Sequence, residues 1–353
     1  MNLTITNDGS VEDSQGKVLF FGLERFIEQI VKGSNCFICG AGPEDVVFND
    51  EHVIPDWLLR RFQLQSRTLT IPNETSTKYQ HLKVPCCEGC NSKLGETFES
   101  PLREMFQLGY AGFTETVRQK GTSFLFEWLA LIFLKMHLKD KQTRMFRDLR
   151  MGDSKIADMY DWEELHHVHC LCRRFYTGLQ ADETVAGSLL VLPAKTAPHI
   201  ENFDFIDLHL SQTMLLRVDD IAVIATLNDH GAGGTVLKER LRQIGGPLSP
   251  LQIRELVASL AYVNLNLYPR PQFKTEFDQL TGQGCITGEK PYYFNLPAFD
   301  TEMYGNLLYR MCEDLLSSHL SEKSIADIRS GKWTFLTNAD GTFAHDNFDL
   351  EAE

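Results

Sequence analysis

Two short stretches decide the fold of the N-terminal part of this chain: Cys36-Phe37-Ile38-Cys39 and Cys87-Glu88-Gly89-Cys90. Each places two cysteines at C-x-x-C spacing, so that one tight turn can present both thiolates to the same ion. Together they supply the four soft ligands of a tetrahedral zinc. We therefore predict a structural zinc held by Cys36, Cys39, Cys87 and Cys90. Cys86 competes with Cys87 by adjacency, but only Cys87 keeps the two-residue spacing to Cys90.

Composition favours metal ligation over disulfides. The chain has 353 residues, of which 43% are hydrophobic and 23% charged, an ordinary globular composition with room for two or three domains. Its first residues lack the pattern of a signal peptide, and its longest apolar run, residues 124–138, is interrupted by Glu127 and Lys135. We therefore expect a cytoplasmic protein without membrane contact. A reducing compartment keeps the nine cysteines free of disulfides, and five of the nine lie between positions 36 and 90.

Charge is unevenly distributed along the chain. The formal net charge of −14 excludes a protein that coats nucleic acid by being basic throughout. Residues 31–150 nevertheless carry 16 Lys and Arg against 14 Asp and Glu, whereas the remainder carries 18 against 34. The acidity therefore lies outside the cysteine-rich region, and local nucleic-acid binding stays open there.

Hydrophobic periodicity predicts an α+β protein with four consecutive regions. Residues 1–33 read as a hairpin followed by a helix, residues 34–105 as the zinc module, residues 106–150 as a helical connector, and residues 151–353 as a larger mixed region. Within these regions we predict helices over residues 23–32, 123–149, 249–266 and 301–320, and strands within 3–21 and 187–226. The larger mixed region carries no assignable motif, which suggests a regulatory or assembly role.

The segment between the two cysteine pairs contains Glu51-His52-Val53-Ile54-Pro55, and Asn91 directly follows Cys90. In this order, and bracketed by two C-x-x-C pairs, these elements resemble the HNH endonucleases, whose core is the ββα-metal finger. The resemblance covers roughly residues 34–100. It implies a zinc-stapled ββα module fused to the rest of the chain, and it implies cleavage of DNA.

The resemblance also implies roles for single residues. His52 would be the general base that deprotonates water, since a neutral imidazole can do so near physiological pH. Glu51 and Asn91 would ligate a catalytic Mg²⁺ or Mn²⁺, because carboxylate and amide oxygens suit such hard ions. The zinc, with four thiolates and no open position, would be structural. The presence of this family in restriction and anti-phage defence makes a bacterial or phage setting a further expectation.

Each of these residues has an alternative role. Asn91 could cap the helix after Cys90. Glu96 and Glu99 fall on the same predicted helix, and Glu99 could reach the site, although a solvent-facing carboxylate is the default expectation. The family's Asn that orients the base has no clear counterpart here, and Gln80 or His81 could take its place. Residues 58–79 form an insertion whose arginines, Arg60, Arg61 and Arg67, could touch phosphate or simply be solvated.

Three weaker patterns carry less specific predictions. Residues 166–172, rich in His and Cys, read as a half-buried strand rather than a second metal site. Residues 231–234 read as a glycine turn, since the Lys-Ser/Thr of a phosphate loop is missing. A basic run follows the apolar half of the predicted helix over 123–149 and either tracks a DNA backbone or is a solvated face; it comprises Lys135, Lys139, Lys141, Arg144, Arg147 and Arg150.

Two other function classes remain open on the sequence alone. The first is a non-catalytic zinc module that binds DNA or protein. The second is an RNA-cutting enzyme that uses the same residues. As partners beyond a DNA substrate, we expect a regulatory protein or a second copy of the chain.

Overall fold

The structure is a computed structural model that describes residues 3–289, 291–316 and 321–345. The strands are β1 (Thr4–Ile5), β2 (Val11–Glu12), β3 (Val18–Phe20), β4 (Phe48–His52), β5 (Thr68–Thr70), β6 (Ser76–Lys78), β7 (Lys83–Cys87), β8 (Gln180–Ala181), β9 (Ser188–Pro193), β10 (Phe203–Leu208), β11 (Thr213–Val218), β12 (Ile221–Thr226), β13 (Gln272–Phe277) and β14 (Gly284–Glu289). The α-helices are α1 (Leu23–Arg25), α2 (Asp56–Arg61), α3 (Glu88–Leu94), α4 (Ser100–Phe106), α5 (Gly109–Lys120), α6 (Ser123–Asp140), α7 (Trp162–Cys172), α8 (Arg174–Thr177), α9 (Ala232–Val236), α10 (Lys238–Arg242), α11 (Pro250–Leu265), α12 (Thr301–Cys312) and α13 (Glu322–Arg329). This mixture of helices and strands confirms the predicted α+β class.

The chain divides into two compact units that interleave along the sequence. Unit 1 comprises Met1–Glu104, Ser123–Val185 and Phe273–Gly288, and unit 2 comprises the intervening and C-terminal segments. The four consecutive regions described from the sequence stay a prediction. Among the described residues, no single helix is both long enough and apolar enough to cross a membrane; the bent pair α5 and α6 passes that test only when both helices are taken together.

Unit 1 begins with a small antiparallel sheet in the order β1-β2-β3, where we predicted a two-stranded hairpin over residues 3–21. In the extra strand β2, the side chain of Val11 is buried. The predicted helix over residues 23–32 is present as α1 continued by a π-helical segment, Phe26–Lys32. Farther along the chain, β4 pairs with β7, and the insertion between them forms α2 and the short hairpin β5–β6.

The central helix of unit 1 is α6, which is buried on all sides over most of its length. An all-round apolar helix must lie inside a protein, since no face of it favours water. The predicted helix over residues 123–149 is too long, because α6 ends at Asp140. Residues 141–148 are not helical, and a 3₁₀ turn follows at Leu149–Met151. The basic run is therefore not one face of a single helix.

The predicted strand over residues 166–172 is wrong, because these residues belong to α7. Asp161 caps this helix by accepting hydrogen bonds from the backbone N–H groups of Glu163 and Glu164. A capping Asp followed by acidic residues in the first turn is a helix-start signal, and it outweighs the apparent alternation of His and Val.

Unit 2 contains a four-stranded antiparallel sheet in the order β10-β11-β12-β9. These strands confirm the predictions within residues 187–226. The helix α11 packs against β11 and β12, and its Ser249 cap with Gln252 forms a capping box, as the Ser-Pro start predicted. The core joins this sheet to α11 through Leu215, Ile224 and Leu256.

Two predictions in unit 2 need correction. The glycine turn predicted over residues 231–234 is limited to Gly231, whose φ of +75° is left-handed. The next three residues form the start of α9. The helix predicted over residues 301–320 ends at Cys312, and the last four positions of that prediction lie outside the described residues. The polar tail predicted after Asn338 lies partly outside them as well, since the description ends at residue 345.

Candidate metal centre and active site

The first cysteine pair lies on a tight turn after the π-helical segment. The backbone N–H of Gly40 donates to the Cys36 carbonyl at 2.8 Å, and the N–H of Cys36 donates to the Ala41 carbonyl at 2.9 Å. Gly40 has a φ of +82°, and a Cβ there would meet the Phe21 ring at 2.5 Å, so only glycine fits. The turn thereby points two thiols in one direction.

The second pair lies at the junction of β7 and α3. Cys87 is the N-cap residue of α3 and Cys90 lies in its first turn. The sulfurs of Cys36, Cys39, Cys87 and Cys90 all lie within 4.8 Å of one another, and the Sγ atoms of Cys39 and Cys87 are 3.6 Å apart. Tetrahedral Zn–S bonds of about 2.3 Å place sulfurs about 3.8 Å apart, so the cluster fits zinc. The predicted ligand set is thus brought together.

Cys86 remains outside this group, although its Sγ lies 3.8 Å from that of Cys36. It is fully buried on β7 and packs beside the cluster. The sequence-based choice of Cys87 over Cys86 agrees with the geometry.

The crowding of thiols favours a bound cation. Hydrogen bonds from neighbouring thiols lower the pKa of Cys36, whereas its proximity raises the pKa of Cys39 and of Cys90. One thiolate forms easily and then opposes the next. A divalent ion removes this repulsion and allows four thiolates to coexist.

A buried arginine on the far side of the first turn braces the cluster. Arg173 is 1% exposed, and its guanidinium donates to the carbonyls of Ile38 at 2.5 Å, Val18 at 2.5 Å and Leu19 at 3.3 Å. Burial lowers its pKa to about 10, still far above neutrality, and the thiols of Cys39 and Cys36 favour its charge. The cation therefore offsets part of the negative charge that four thiolates and one zinc would carry.

His169 supports the same turn, because its Nε2 makes a 2.8 Å hydrogen bond with the Phe37 carbonyl. Burial lowers the pKa of His169 well below its usual value, so the ring is neutral and Nε2 donates. Outer contacts of this kind hold ligand-bearing backbone in place in metal sites.

We expect Arg173→Met to destabilise unit 1 by about 3 kcal/mol, because buried carbonyls lose their donors and a buried unsatisfied polar group costs about 1–3 kcal/mol. The measurement is urea unfolding of the full chain with zinc release, detected by a colorimetric chelator, as the probe of unit 1. Arg150→Met is the control, since that side chain is 89% exposed and should change stability by less than about 0.5 kcal/mol. Equal stability of the two variants would contradict a bracing role for Arg173.

The hairpin of β4 and β7 places the other predicted residues. The strands are antiparallel in register, with Phe48 opposite Cys87 and His52 opposite Lys83. The second strand runs directly into α3. Strand, strand and helix therefore follow in the order that the sequence predicts, and both cysteine pairs lie at the end of the hairpin away from His52.

His52 ends β4 and is half-buried. Burial lowers its pKa, and the nearby Lys83 ammonium lowers it further, against the opposing charges of Asp56 and Glu51. A neutral imidazole at pH 7 follows, and this is the protonation state that a general base needs.

Glu51 is 6% exposed, and its Oε1 accepts a 2.6 Å hydrogen bond from Nζ of Lys135 on α6. The same ammonium also donates to the His52 carbonyl at 2.8 Å. Lys135 is itself 4% exposed, so the two charges form a buried ion pair. The bond to Lys135 engages one carboxylate oxygen and leaves Oε2 of Glu51.

Asn91 on α3 is joined to the same strand. Its Nδ2 donates to Oδ1 of Asn49 at 2.7 Å, which leaves the carbonyl oxygen of the Asn91 amide as an acceptor. Asn49 and Glu51 are two positions apart on β4 and share one face of the hairpin. Asn91 and Glu51 therefore lie on one side of the hairpin, and Asn91 is not the N-cap of its helix, because Cys87 is.

Glu99 is the second carboxylate near Glu51. It ends the π-helical segment Gly95–Glu99, and burial raises its pKa to about 7 while the Lys135 ammonium opposes that rise. The charges of Glu51 and Asp56 raise it further. Of the two alternatives for Glu99, a reach towards the site matches this environment better than a solvent-facing side chain.

The remaining predicted residues contact neighbours within their own segments. Gln80 and His81 contact each other at 3.3 Å in the 3₁₀ turn before β7. In the insertion, Arg60 pairs with Asp56 at 2.6 Å on an exposed helical turn, and Arg61 lies over the Phe62 ring. These contacts engage both arginines locally.

Sequence reasoning missed three residues of the site. Lys135 was assigned to the basic run, yet a lysine amid an apolar helical stretch is itself a signal of a buried partner. Arg173 and Asn49 carry no comparable signal. The partners of Arg173 are backbone carbonyls far away in the sequence, and the partner of Asn49 is the side-chain amide of Asn91 on another element.

Comparison of the chain with known protein families, with curated proteins and with solved structures returns no match.

Proposed function

We propose that the protein is a metal-dependent endonuclease of the HNH type that hydrolyses DNA. One observation supports this proposal above the others: a single strand pair, β4–β7, and the helix α3 that follows it carry Glu51, His52 and Asn91 as well as two of the four clustered cysteines. The family in this proposal comes from the resemblance of the sequence motif alone.

In this proposal His52 takes a proton from the attacking water. The shift of its pKa below the usual value keeps the imidazole neutral, and its place at the end of β4 leaves the ring half-exposed to a substrate. Lys83, opposite His52 in the strand pair, would offer a positive charge to the phosphate of a substrate bound at His52.

Glu51 and Asn91 would hold the catalytic ion through Oε2 and the amide oxygen. Their donor chemistry fits Mg²⁺ or Mn²⁺, which bind through one or two carboxylates and retain several waters. When bound, such an ion neutralises charge on the phosphate and on the leaving oxygen. Lys135 fixes the orientation of Glu51 and lowers the cost of its burial.

The proposal is tested by incubating the purified full chain with supercoiled plasmid in Mg²⁺, in Mn²⁺ and in EDTA-free buffer without divalent ions. We expect nicking and linearisation only with added divalent ion. A single-stranded RNA of similar length serves as the parallel substrate. Faster cleavage of RNA than of DNA would transfer the proposal to an RNA-cutting enzyme, and cleavage that ignores added ions would overturn the roles of Glu51 and Asn91.

A second candidate function is a non-catalytic zinc module, and the buried pair of Glu51 and Lys135 favours it. The Lys135 ammonium, 2.6 Å away, already neutralises the Glu51 carboxylate. A purely structural module needs such a partner for a buried carboxylate. A metal ligand would have to share the carboxylate between the ammonium and the ion. Absence of cleavage, together with one bound zinc and DNA binding in a mobility-shift assay, would support this function.

A further inference from the structure

A cavity of about 620 Å³ lies in unit 1, and neither the four clustered cysteines nor His52 line it, although Ser34 and Pro85 bring its wall to within two residues of Cys36 and Cys87. It is bordered by the end of the π-helical segment, by the residues after α6 and by the start of α7. Cavities of this size hold ligands no larger than a small cofactor or a nucleotide.

Three lysines line this cavity, against one carboxylate. The lysines are Lys32, Lys141 and Lys155, and the carboxylate is that of Asp158. Oδ2 of Asp158 accepts the backbone N–H of Lys155 at 2.7 Å, so it is engaged in capping the local turn. The lining is therefore cationic in a chain whose net charge is −14.

Lys141 is the innermost of the three cations. Its Nζ donates to the carbonyls of Ile30 at 2.7 Å and of Gly33 at 2.8 Å. An ammonium has three donors, so one remains for a ligand. Burial lowers the pKa of Lys141 to about 8, and no carboxylate contributes to that environment. A positive charge held in this way by neutral carbonyls would be stabilised by an anion in the cavity.

The other two lysines can turn towards the same anion. Lys32 pairs with Glu28 at 2.7 Å and Lys155 with Asp153 at 3.1 Å, but most of these side chains are exposed. Exposed ion pairs contribute about 0–1 kcal/mol, so their exchange for a buried anion is cheap.

The cavity also has an aromatic wall. The half-buried Trp162 lines it, and its Nε1 donates to the Ala157 carbonyl at 3.0 Å, which fixes the indole plane. Fixed aromatic rings beside cationic groups are the arrangement that binds a nucleobase next to its phosphate.

We propose that this cavity binds a phosphate monoester of nucleotide size, with the phosphate on the lysines and the base against Trp162. The ligand is a free mononucleotide or the phosphorylated end of a nucleic-acid strand. Binding here requires no nuclease activity, so the test measures binding alone.

The experiment titrates the full chain, without added divalent metal, with four probes by isothermal calorimetry. The probes are inorganic phosphate, adenosine monophosphate, adenosine, and a DNA tetranucleotide with a 5′-phosphate. We expect saturable binding of adenosine monophosphate and at least tenfold weaker binding of adenosine. The tetranucleotide identifies the source: tighter binding than the mononucleotide indicates a strand end, and weaker binding indicates a free nucleotide.

The variants separate this cavity from general charge attraction. Lys32→Ala combined with Lys155→Ala should weaken binding of adenosine monophosphate at least tenfold. Lys78→Ala combined with Lys274→Ala removes the same charge from exposed positions of unit 1 outside the cavity and should leave binding unchanged. Trp162→Phe should remove most of the ligand-induced change in tryptophan fluorescence. Equal binding of adenosine and its monophosphate, equal loss in both double variants, or no saturable binding of either phosphate ester would overturn the proposal.

Discussion

The Cys90→Ala variant is expected to lose its zinc and, with it, the ordered packing of the β4–β7 hairpin against α3. Three ligands cannot hold the ion in the closed four-thiolate site that the structural role requires, and structural zinc contributes roughly 10–16 kcal/mol of binding free energy in small modules. We expect less than a tenth of the wild-type zinc content by elemental analysis. Hydrogen exchange should accelerate in β4, β7 and α3, and α11 of unit 2 should keep its protection.

The size of this effect follows from how little else holds these elements together. A two-stranded hairpin is marginal in water, and the ligands Cys87 and Cys90 lie where its second strand joins α3. Its N-cap residue Cys87 makes no side-chain capping bond, so the thiolate has no local role except ligation. The first cysteine turn contains no helix or strand and depends on the ion and on Arg173.

Cys86→Ala is the matched control, because it removes a buried sulfur 3.8 Å from Cys36 without removing a predicted ligand. We expect this variant to keep one zinc per chain and to lose about 1 kcal/mol of stability. If Cys86→Ala lost the zinc and Cys87→Ala kept it, the ligand assignment would pass from Cys87 to Cys86. Full zinc retention in Cys90→Ala would contradict the four-cysteine site altogether.

The sequence predicts the metal cluster well because its determinants are local. Two residues between paired cysteines fix a tight turn whatever the surrounding fold is, and the same spacing rejects Cys86. The strands around Leu215 and the helix start at Ser249 are predictable for the same reason, since hydrophobic runs and a capping box act within a few residues.

The remaining features of the fold and the site depend on contacts between segments that are distant in the sequence. Local sequence patterns do not predict such contacts. Lys135 and Glu51 are 84 positions apart, and Arg173 reaches Ile38 across 135. Unit 1 also recruits β14 from late in the chain, where it pairs in parallel with β8. The His-rich residues of α7 led to a wrong strand prediction because polar and apolar side chains alternate there. In the helix, some of these histidines belong to the core, as the contacts of His169 with Phe26 and Phe21 show.

Under the nuclease proposal, His52→Ala is expected to reduce plasmid cleavage about a thousandfold, within the ~10²–10⁴ range that positioned acid–base groups contribute. The half-buried ring at the end of β4 carries a lowered pKa, so it accepts a proton at pH 7, and alanine offers no acceptor. The measurement is the initial rate of plasmid nicking in Mg²⁺, with zinc content and unfolding transition recorded for the same preparations.

Two controls make that loss interpretable. His199→Ala removes an exposed histidine of unit 2 and should leave the rate unchanged. His52→Asn keeps a polar group of similar size but no base near neutral pH, so it should be as inactive as the alanine variant while retaining zinc and stability. Because the ring is only half-buried and lies at the end of the hairpin away from the cysteines, its removal should not release the metal. A wild-type rate in His52→Ala, with zinc and fold intact, would leave the chain as a binding module in which Glu51 and Lys135 serve the fold alone.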